Sequence, residues 1–534
     1  MGMQGQPLLV TSLIDHAARE HANREIVSRW ADGRITRSTW GEVGGDARRF
    51  ASALTRLGMK KGDRIATLAM NHGHHLVSWY GTAGMGGVLH TVNPRLFDEQ
   101  LVYIINHAED RMLFLDAAFL PIVERLRPSL ASVEHFVLFD APAQEGYLSY
   151  RELIAGGDAA FAWVDLDERD PVGLCYTSGT TGNPKGVLYE HRSNVIHAVT
   201  EIQPDAFNLS NRSAVLPIVP MFHANSWGIP FAAATVGAKM VFSATNDAEL
   251  LCELMHAEGV THSAGVPTVW LAMFAHMDAT GIDYGALEHV IIGGSAAPRA
   301  MIERFMKAGV YVGHAWGMTE TSPIGTMGRR PWNWDELSFD EQVDVICRQG
   351  CPPFGVELRI VDDEDHVLPR DGQTSGRLQI RGPWIIQRYF KGESDAADAD
   401  GWFDTGDVAV IHPDGVMQIT DRAKDVIKSG GEWISSIELE NAAVGAPGVQ
   451  EAAAVGVYHP KWDERPILLI VPKPGAEVSA SAIIDYLKDK VAKWWLPDEI
   501  VFVDALPHTA TGKILKRQLR DDYKDYKLKS LAET

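Results

Sequence analysis

The chain has 534 residues, too long for a single small binding module and long enough for several folding units. Lys and Arg total 49 against 70 Asp and Glu, a formal charge of −21, which argues against nucleic acid or an anionic membrane held by bulk electrostatics and leaves any anionic ligand to local cations. With 46% hydrophobic and 22% charged residues, the composition is that of an ordinary globular protein able to bury a large core.

In chain order, the first residues lack a cationic start followed by an apolar run, and Gln6 breaks a myristoylation pattern, so neither a secretory leader nor an acyl anchor is expected. RIATLAM (64–70), RMLFLDAA (111–118), HFVLFDAP (135–142) and HVIIGGS (289–295) are short apolar runs closed by turn residues, as in buried parallel strands. Stretches of helical period lie among them, at 38–58 and 298–309, and this alternation predicts α/β architecture. The apolar stretch from Asn225 to Ala238 is interrupted by Ser226, Gly228, Pro230, Thr235 and Gly237 and falls short of the ~20 residues of a spanning helix.

From about Phe354 the pattern becomes hairpin-like. VELRIVDDEDHVLP (356–369) has an acidic turn, and DVAVIHPDGVMQITD (407–421) sets Asp414-Gly415 between two alternating runs, which together predict an antiparallel or barrel-like element. The acidic stretch 393–400 reads as an exposed loop. After Arg422 mixed patterns return, with helices expected near 434–445 and 481–495. The predicted fold is therefore α/β: a large N-terminal domain of α/β subdomains plus a small β-barrel-like part over 1–421, a hinge at 422–426, and a small α+β C-terminal domain over 427–534.

Cys175, Cys252, Cys347 and Cys351 are too few and too scattered for a disulfide framework, which suits a reducing cytoplasm. Cys347 and Cys351 lack companions for a metal site, and His72, His74 and His75 read as a helix start after a strand rather than as ligands.

The segment YTSGTTGNPKG (176–186) follows an apolar strand and packs hydroxyls, glycines and one lysine into a loop, the chemistry that cradles phosphate oxygens. It is not a Walker A loop, because the position of the second glycine holds Pro184 and Lys185 is followed by Gly186. No G-x-G-x-x-G follows a strand, which disfavours a dinucleotide oxidoreductase.

Together with WGMTETSP (316–323), GWFDTGDV (401–408), DRAKDVIKSGGEWISSIELE (421–440) and LPHTATGKILKRQLR (506–520), this loop resembles the adenylate-forming superfamily of acyl-CoA synthetases, luciferases and adenylation domains, in order and spacing across nearly the whole chain. Within it the chain is similar to the branch of medium-chain fatty-acyl-CoA ligases and 3-methylmercaptopropionyl-CoA ligases, and more to the latter. The resemblance implies an enzyme, an AMP-forming acid–thiol ligase. A carboxylate attacks the α-phosphate of Mg·ATP to give an acyl-adenylate, and coenzyme A then displaces AMP. The implied partners are a small carboxylic acid, ATP and CoA, with Mg²⁺ as cofactor. No nucleic acid and no membrane span are expected, and a homodimer would suit the branch.

The same resemblance implies site roles. Thr177, Ser178, Gly179, Thr180, Thr181 and Lys185 hold the β- and γ-phosphates; Thr319 meets the α-phosphate; Glu320 is the Mg²⁺ ligand, as a hard cation prefers carboxylate oxygen. Trp316, with Gly317 and Met318, stands where the family has a tyrosine against adenine; the alternative for Trp316 is a core aromatic at a strand end. Gly294, Ser295, Ala296 and Pro298 line the adenine. Asp407 binds the ribose hydroxyls unless it merely caps a turn, and Arg422 adds a second contact.

Lys424 is the hinge about which a mobile C-terminal domain rotates between half-reactions. Lys513 enters the site during adenylation, the alternative being a solvated lysine beside Lys516, Arg517 and Arg520. Lys428, Gly430, Gly431 and Trp433 line the pantetheine tunnel in the second conformation, unless the glycines serve only a tight turn.

In VPMFHANSWG (219–228), His223 and Trp227 lie four apart, the spacing of one helix face; the resemblance implies that His223 gates or lines the acyl site and Trp227 forms its wall, with a satisfied core histidine as the alternative for His223. A carboxylic acid follows from the motifs and its chain length does not. Readings of another class, a carrier-loading adenylation enzyme and a luciferase-like oxygenase, share the first step; no carrier stretch with an attachment serine occurs in these residues.

Overall fold

A computed structural model describes residues 2–177, 183–422, 424–430, 432–508 and 514–529. Four sheets organise the chain. The first has seven strands in the order Leu148–Ser149, His135–Leu138, Asp110–Leu115, Arg64–Leu68, Val88–Thr91, Pro171–Tyr176, Gly186–Glu190. All neighbours are parallel except the last pair, which forms an antiparallel edge around the glycine-rich loop. Arg64–Leu68, Asp110–Leu115 and His135–Leu138 fall within a residue of the starts of their apolar runs and stop before the turn residues that close them, because their apolar side chains are buried on both faces.

The second sheet has eight strands, ordered Ile324–Met327, Tyr311–Gly317, His289–Ile292, His262–Gly265, Ala214–Pro217, Lys239–Ser243, Glu25–Arg29, Ile35–Thr39. Its inner pairs are parallel and both outermost pairs antiparallel. Residues 25–39 thus pair with a strand some two hundred residues further on, after the chain has built the whole first sheet. Helix Trp40–Arg56, started by Thr39 accepting the Glu42 N–H, packs on helix Gly73–Gly84, and Trp40, Phe50, Trp79 and Tyr80 are fully buried between the sheets. His72 caps the second helix by accepting from the His75 N–H and holds Asp116 at 2.9 Å, which fits its reading as a helix start.

The third sheet is antiparallel throughout: Glu357–Val361, Gly376–Arg381, Phe403–Ile411, Met417–Arg422. The Asp414-Gly415 turn joins the last two strands as predicted, with Gly415 at φ 85°. The barrel-like expectation is corrected to an open sheet, since its first and last strands do not pair among the described residues. The acidic turn at 362–366 likewise returns through one bridge, Val361 to Val367, and the true partner of Glu357–Val361 comes later in the chain.

The fourth sheet collects Glu432–Ile434, Ile427–Ser429, Asp463–Pro472, Val449–His459 and Glu499–Phe502. Helix Ser436–Val444 packs against it; the second predicted helix is shorter than its pattern, Ala480–Leu487, followed by a 3₁₀ turn at Lys493–Trp495. The third and fourth sheets meet at Asp421, whose carboxylate accepts from Ser436 N at 2.6 Å and Ser436 Oγ at 2.8 Å, capping the helix from outside its own unit. Among the described residues no helix is long and apolar enough to cross a membrane.

Candidate active site

A cleft of about 1070 Å³ opens where the carboxyl ends of strands from the first two sheets face the third. In open α/β sheets ligands collect at strand carboxyl ends, where loops and backbone donors converge. Its wall takes Thr177 and Lys185 from the first sheet, Gly294 and the run Trp316 to Glu320 from the second, Arg422 from the last strand of the third, and Lys424 from the turn that follows it.

Thr177 and Lys185 close the neck of the glycine-rich loop. Thr177 N donates to Lys185 O at 2.9 Å, and Lys185 N donates to Thr177 Oγ1 at 3.2 Å. Ser178, Gly179, Thr180 and Thr181 lie outside the described residues. The Lys185 ammonium sits 4.8 Å from the Tyr389 ring centroid. The phenol of Tyr389 donates to Glu320 Oε1 at 2.8 Å. Glu320 is carried on a 3₁₀ turn, Thr319–Thr321, and is buried; burial pushes its carboxyl upward, opposed by Tyr389 and by the charges of Arg422 and Lys185. Tyr389 was not foreseen, since an aromatic in GPWIIQRYF carries no catalytic signature in sequence.

Trp316 joins both of its readings. Its ring lies in an apolar cluster with Val187, Tyr189 and Ile380, and a Cβ at Gly325 would collide with it, so it is a core aromatic. It also lines the cleft, and its Nε1 donates to Asp407 Oδ2 at 2.9 Å. Asp407 is buried on the strand opposite Arg422, whose Nε lies 3.3 Å from Oδ1.

Gly294, at φ 81°, lines the cleft with Gly293; Ser295, Ala296 and Pro298 follow in the same turn and are not among its lining residues. Thr319, Gly317 and Met318 line it. Lys424 is exposed in a turn in which Asp425 N and Val426 N both donate to Arg422 O.

Lys428 and Gly430 stand away from the cleft, at a hairpin in which Lys428 pairs with Trp433. Gly430 has φ 64°, and a Cβ there would lie 2.8 Å from the Trp462 ring, so the tight-turn explanation holds for this glycine in this arrangement. Gly431, the Trp433 side chain and Lys513 lie outside the described residues. Of the basic neighbours of Lys513, Lys516 is committed to Glu440 at 2.8 Å.

The apolar end of the cleft holds Phe207, Phe222, His223, Trp227, Ile291 and Met327. His223 and Trp227 reach it without sharing a helix face. Residues 224–228 form a left-handed turn, Ala224 at φ 41°, Asn225, Ser226 and Trp227 at 57° and Gly228 at 84°, so right-handed helical spacing does not apply. The right-handed helix begins at Ile229.

A hard divalent cation takes oxygen ligands and is commonly held by one or two carboxylates plus substrate phosphates. The buried Glu320 carboxylate, in the same cleft as Thr177 and Lys185, fits that donor chemistry.

Residues 14–390 match the family described as AMP-binding enzyme, and 438–513 match the AMP-binding enzyme C-terminal domain. The chain is similar to a 3-methylmercaptopropionyl-CoA ligase of Ruegeria lacuscaerulensis, 51% identical over 98% of each chain. It is also similar to a medium-chain-fatty-acid–CoA ligase of Ectopseudomonas oleovorans, 49% identical over 99% of this chain and 98% of that one. Among solved structures, the anthranilate CoA ligase AuaEII with anthranoyl-AMP superposes with a TM-score of 0.87 at 26% identity, covering 97% of this chain and 98% of that one. ATP-bound MatB from Rhodopseudomonas palustris gives 0.81 at 25%, covering 97% and 100%.

Proposed function

We infer the reaction from the premise that the chain belongs to the AMP-binding enzyme family and is an acid–CoA ligase that uses ATP and CoA. A carboxylate oxygen attacks the α-phosphorus of ATP as the bond to pyrophosphate breaks. The CoA sulfur then attacks the acyl carbon, AMP leaves, and the thiol proton goes to solvent. The observation that carries this reading is the convergence of Lys185, Glu320, Trp316 and Arg422 on one cleft, with Asp407 buried behind the last two and bonded to both.

In this reading Lys185 and the hydroxyls of its loop neutralise the β- and γ-phosphates. Glu320 would hold a Mg²⁺ ion, which when bound supplies charge neutralisation on phosphate oxygens; Tyr389 orients that carboxylate. Thr319 donates to the α-phosphate, the face of Trp316 lies along the adenine beside Gly294, and Asp407 with Arg422 accepts and braces the ribose. Residues 1–421 and 427–534 form two working units about a hinge at 422–426. One arrangement brings Lys513 to the reacting carboxylate; the other brings Lys428, Gly430, Gly431 and Trp433 to the pantetheine.

The acid is 3-(methylthio)propionate together with short- and medium-chain fatty acids. The names of relatives at 51% and 49% identity support this pair of substrate classes. Methylthiopropionate differs from pentanoate by sulfur in place of one methylene, a change that an apolar pocket discriminates by only ~1–3 kcal/mol. A thioether against the Trp227 ring adds about 0.3–1.5 kcal/mol, enough for preference and too little for exclusion. Competition among methylthiopropionate, butyrate, hexanoate and octanoate, read as kcat/KM for AMP formation, tests it; an optimum at octanoate overturns the assignment of the thioether acid. The reading further includes a cytoplasmic location, which four free cysteines support, and a homodimer, which light scattering tests.

A further inference from the structure

Helix His191–Glu201 runs behind the apolar end of the cleft, and among its buried polar residues His197 and Glu201 lie one turn apart. His197 Nδ1 lies 3.7 Å from Glu201 Oε2. The other ring nitrogen, Nε2, accepts the backbone N–H of Ile324 at 3.2 Å, so the neutral imidazole carries its proton on Nδ1, toward Glu201. Neither carboxyl oxygen of Glu201 has a hydrogen-bond partner among the described residues. A buried carboxyl without hydrogen bonds is costly, and nothing in the reaction described above uses it.

What these side chains touch is the backbone of Gly228. A Cβ built there would lie 2.7 Å from Glu201 Oε2 and 2.7 Å from His197 Nδ1. Gly228 ends the left-handed run that begins at Ala224. L-residues resist this conformation because Cβ crowds the following carbonyl, and four non-glycine residues in succession persist only where their surroundings over-determine them. Part of that support is Ser226 Oγ donating to Val219 O at 2.6 Å and Asn225 Oδ1 accepting from Cys175 Sγ at 3.3 Å. On the cleft side, Trp227 leans on Gly293, where a Cβ would come within 3.2 Å of its ring, and Ile324 completes the same wall.

We propose that His197 and Glu201 are positioning residues for acyl selectivity: packed against Gly228 and bonded to Ile324, they fix the left-handed turn that sets Trp227 as the wall of the acyl compartment. The proposal rests on the reading of the Trp227 end of the cleft as that compartment. Glu201 acts by shape and polarity, and burial pushes its carboxyl well above the ordinary carboxylate range.

The test compares Gly228→Ala, Glu201→Ala, Glu201→Gln and Trp227→Ala in the full chain. KM and kcat are measured for ATP and for acids from butyrate to octanoate, with melting temperature alongside. Gly228→Ala and Glu201→Ala are expected to raise the acid KM about tenfold and flatten the chain-length preference, with the ATP KM held within about twofold. Glu201→Gln, which keeps the shape, restores the wild-type profile. Equal shifts in acid and ATP KM, an unchanged acid profile, or a Glu201→Gln as impaired as Glu201→Ala overturns the proposal. Should Gly228→Ala fail to fold, the two Glu201 variants decide. An unaltered profile in Trp227→Ala overturns the acyl-compartment reading itself; an altered one beside unaffected Gly228→Ala and Glu201→Ala overturns the positioning role alone.

Discussion

The indole N–H of Trp316 donates to Asp407 Oδ2 across 2.9 Å, and Arg422 reaches the other oxygen of the same carboxylate at 3.3 Å. One buried acid thereby joins the second sheet to the third through two residues that line the cleft. Trp316→Phe keeps the ring and removes the donor. The variant is expected to lose about 1–3 kcal/mol of stability, the cost of a buried carboxylate losing a partner, and to raise the ATP KM while the acid KM holds. Denaturant melts and steady-state kinetics with each substrate varied separately check both halves.

Lys185→Ala removes the one cation of the phosphate loop. Adenylation, followed by pyrophosphate exchange, is expected to slow by about 10²–10³, the scale of one preorganised electrostatic group. A loss under about threefold would mean that the loop does not meet phosphate.

Lys513→Ala separates the half-reactions. Acyl-adenylate formation should fall by about 10²–10³ while CoA transfer from a supplied acyl-adenylate stays near wild type. Gly430→Ala is expected to show the opposite pattern, because φ 64° and the Trp462 ring both oppose a side chain at the pantetheine segment. Equal losses in both half-reactions for either variant would contradict alternation of the two units.

Stability should fall on acidification below neutrality. Burial holds the imidazoles of His75, His191 and His314 down to about 4, against an ordinary value of 6.5. With folded values below the unfolded one, the unfolded chain binds more protons between these limits, so stability is full above about pH 6.5 and is lost as pH falls toward 4. Each such group contributes about one kcal/mol per pH unit in that window. Melting temperatures from pH 7.5 to 4.5 measure the slope, and His314→Gln should make it shallower.

The sheets and their chemistry were legible to different depths. Arg64–Leu68, Asp110–Leu115, His135–Leu138 and His289–Ile292 follow their apolar runs, because burial on both faces leaves a pattern that composition alone exposes. The hairpin at Asp414-Gly415 was equally plain, since its turn demands those residues. Nothing local announces that Glu357–Val361 skips its own acidic turn to pair further on, because strand choice is decided by tertiary partners. The left-handed turn at 224–228 defeats helical spacing for the same reason: Glu201, His197 and Cys175, distant in sequence, hold it. Motif residues such as Lys185, Glu320 and Trp316 could be picked out by type, whereas Tyr389 becomes visible only through the carboxylate it touches.

The pairing of Glu25–Arg29, the first strand of the 25–39 hairpin, with Lys239–Ser243 bears on synthesis as much as on architecture. All strands of the first sheet are emitted between residues 64 and 190, so that layer can close while the ribosome is still at work. The amino-terminal hairpin is made earliest yet docks late, waiting for a neighbour translated some two hundred residues behind it. During that interval its strand edges stay open to other chains, so this hairpin needs shielding while the layer that receives it is still being made.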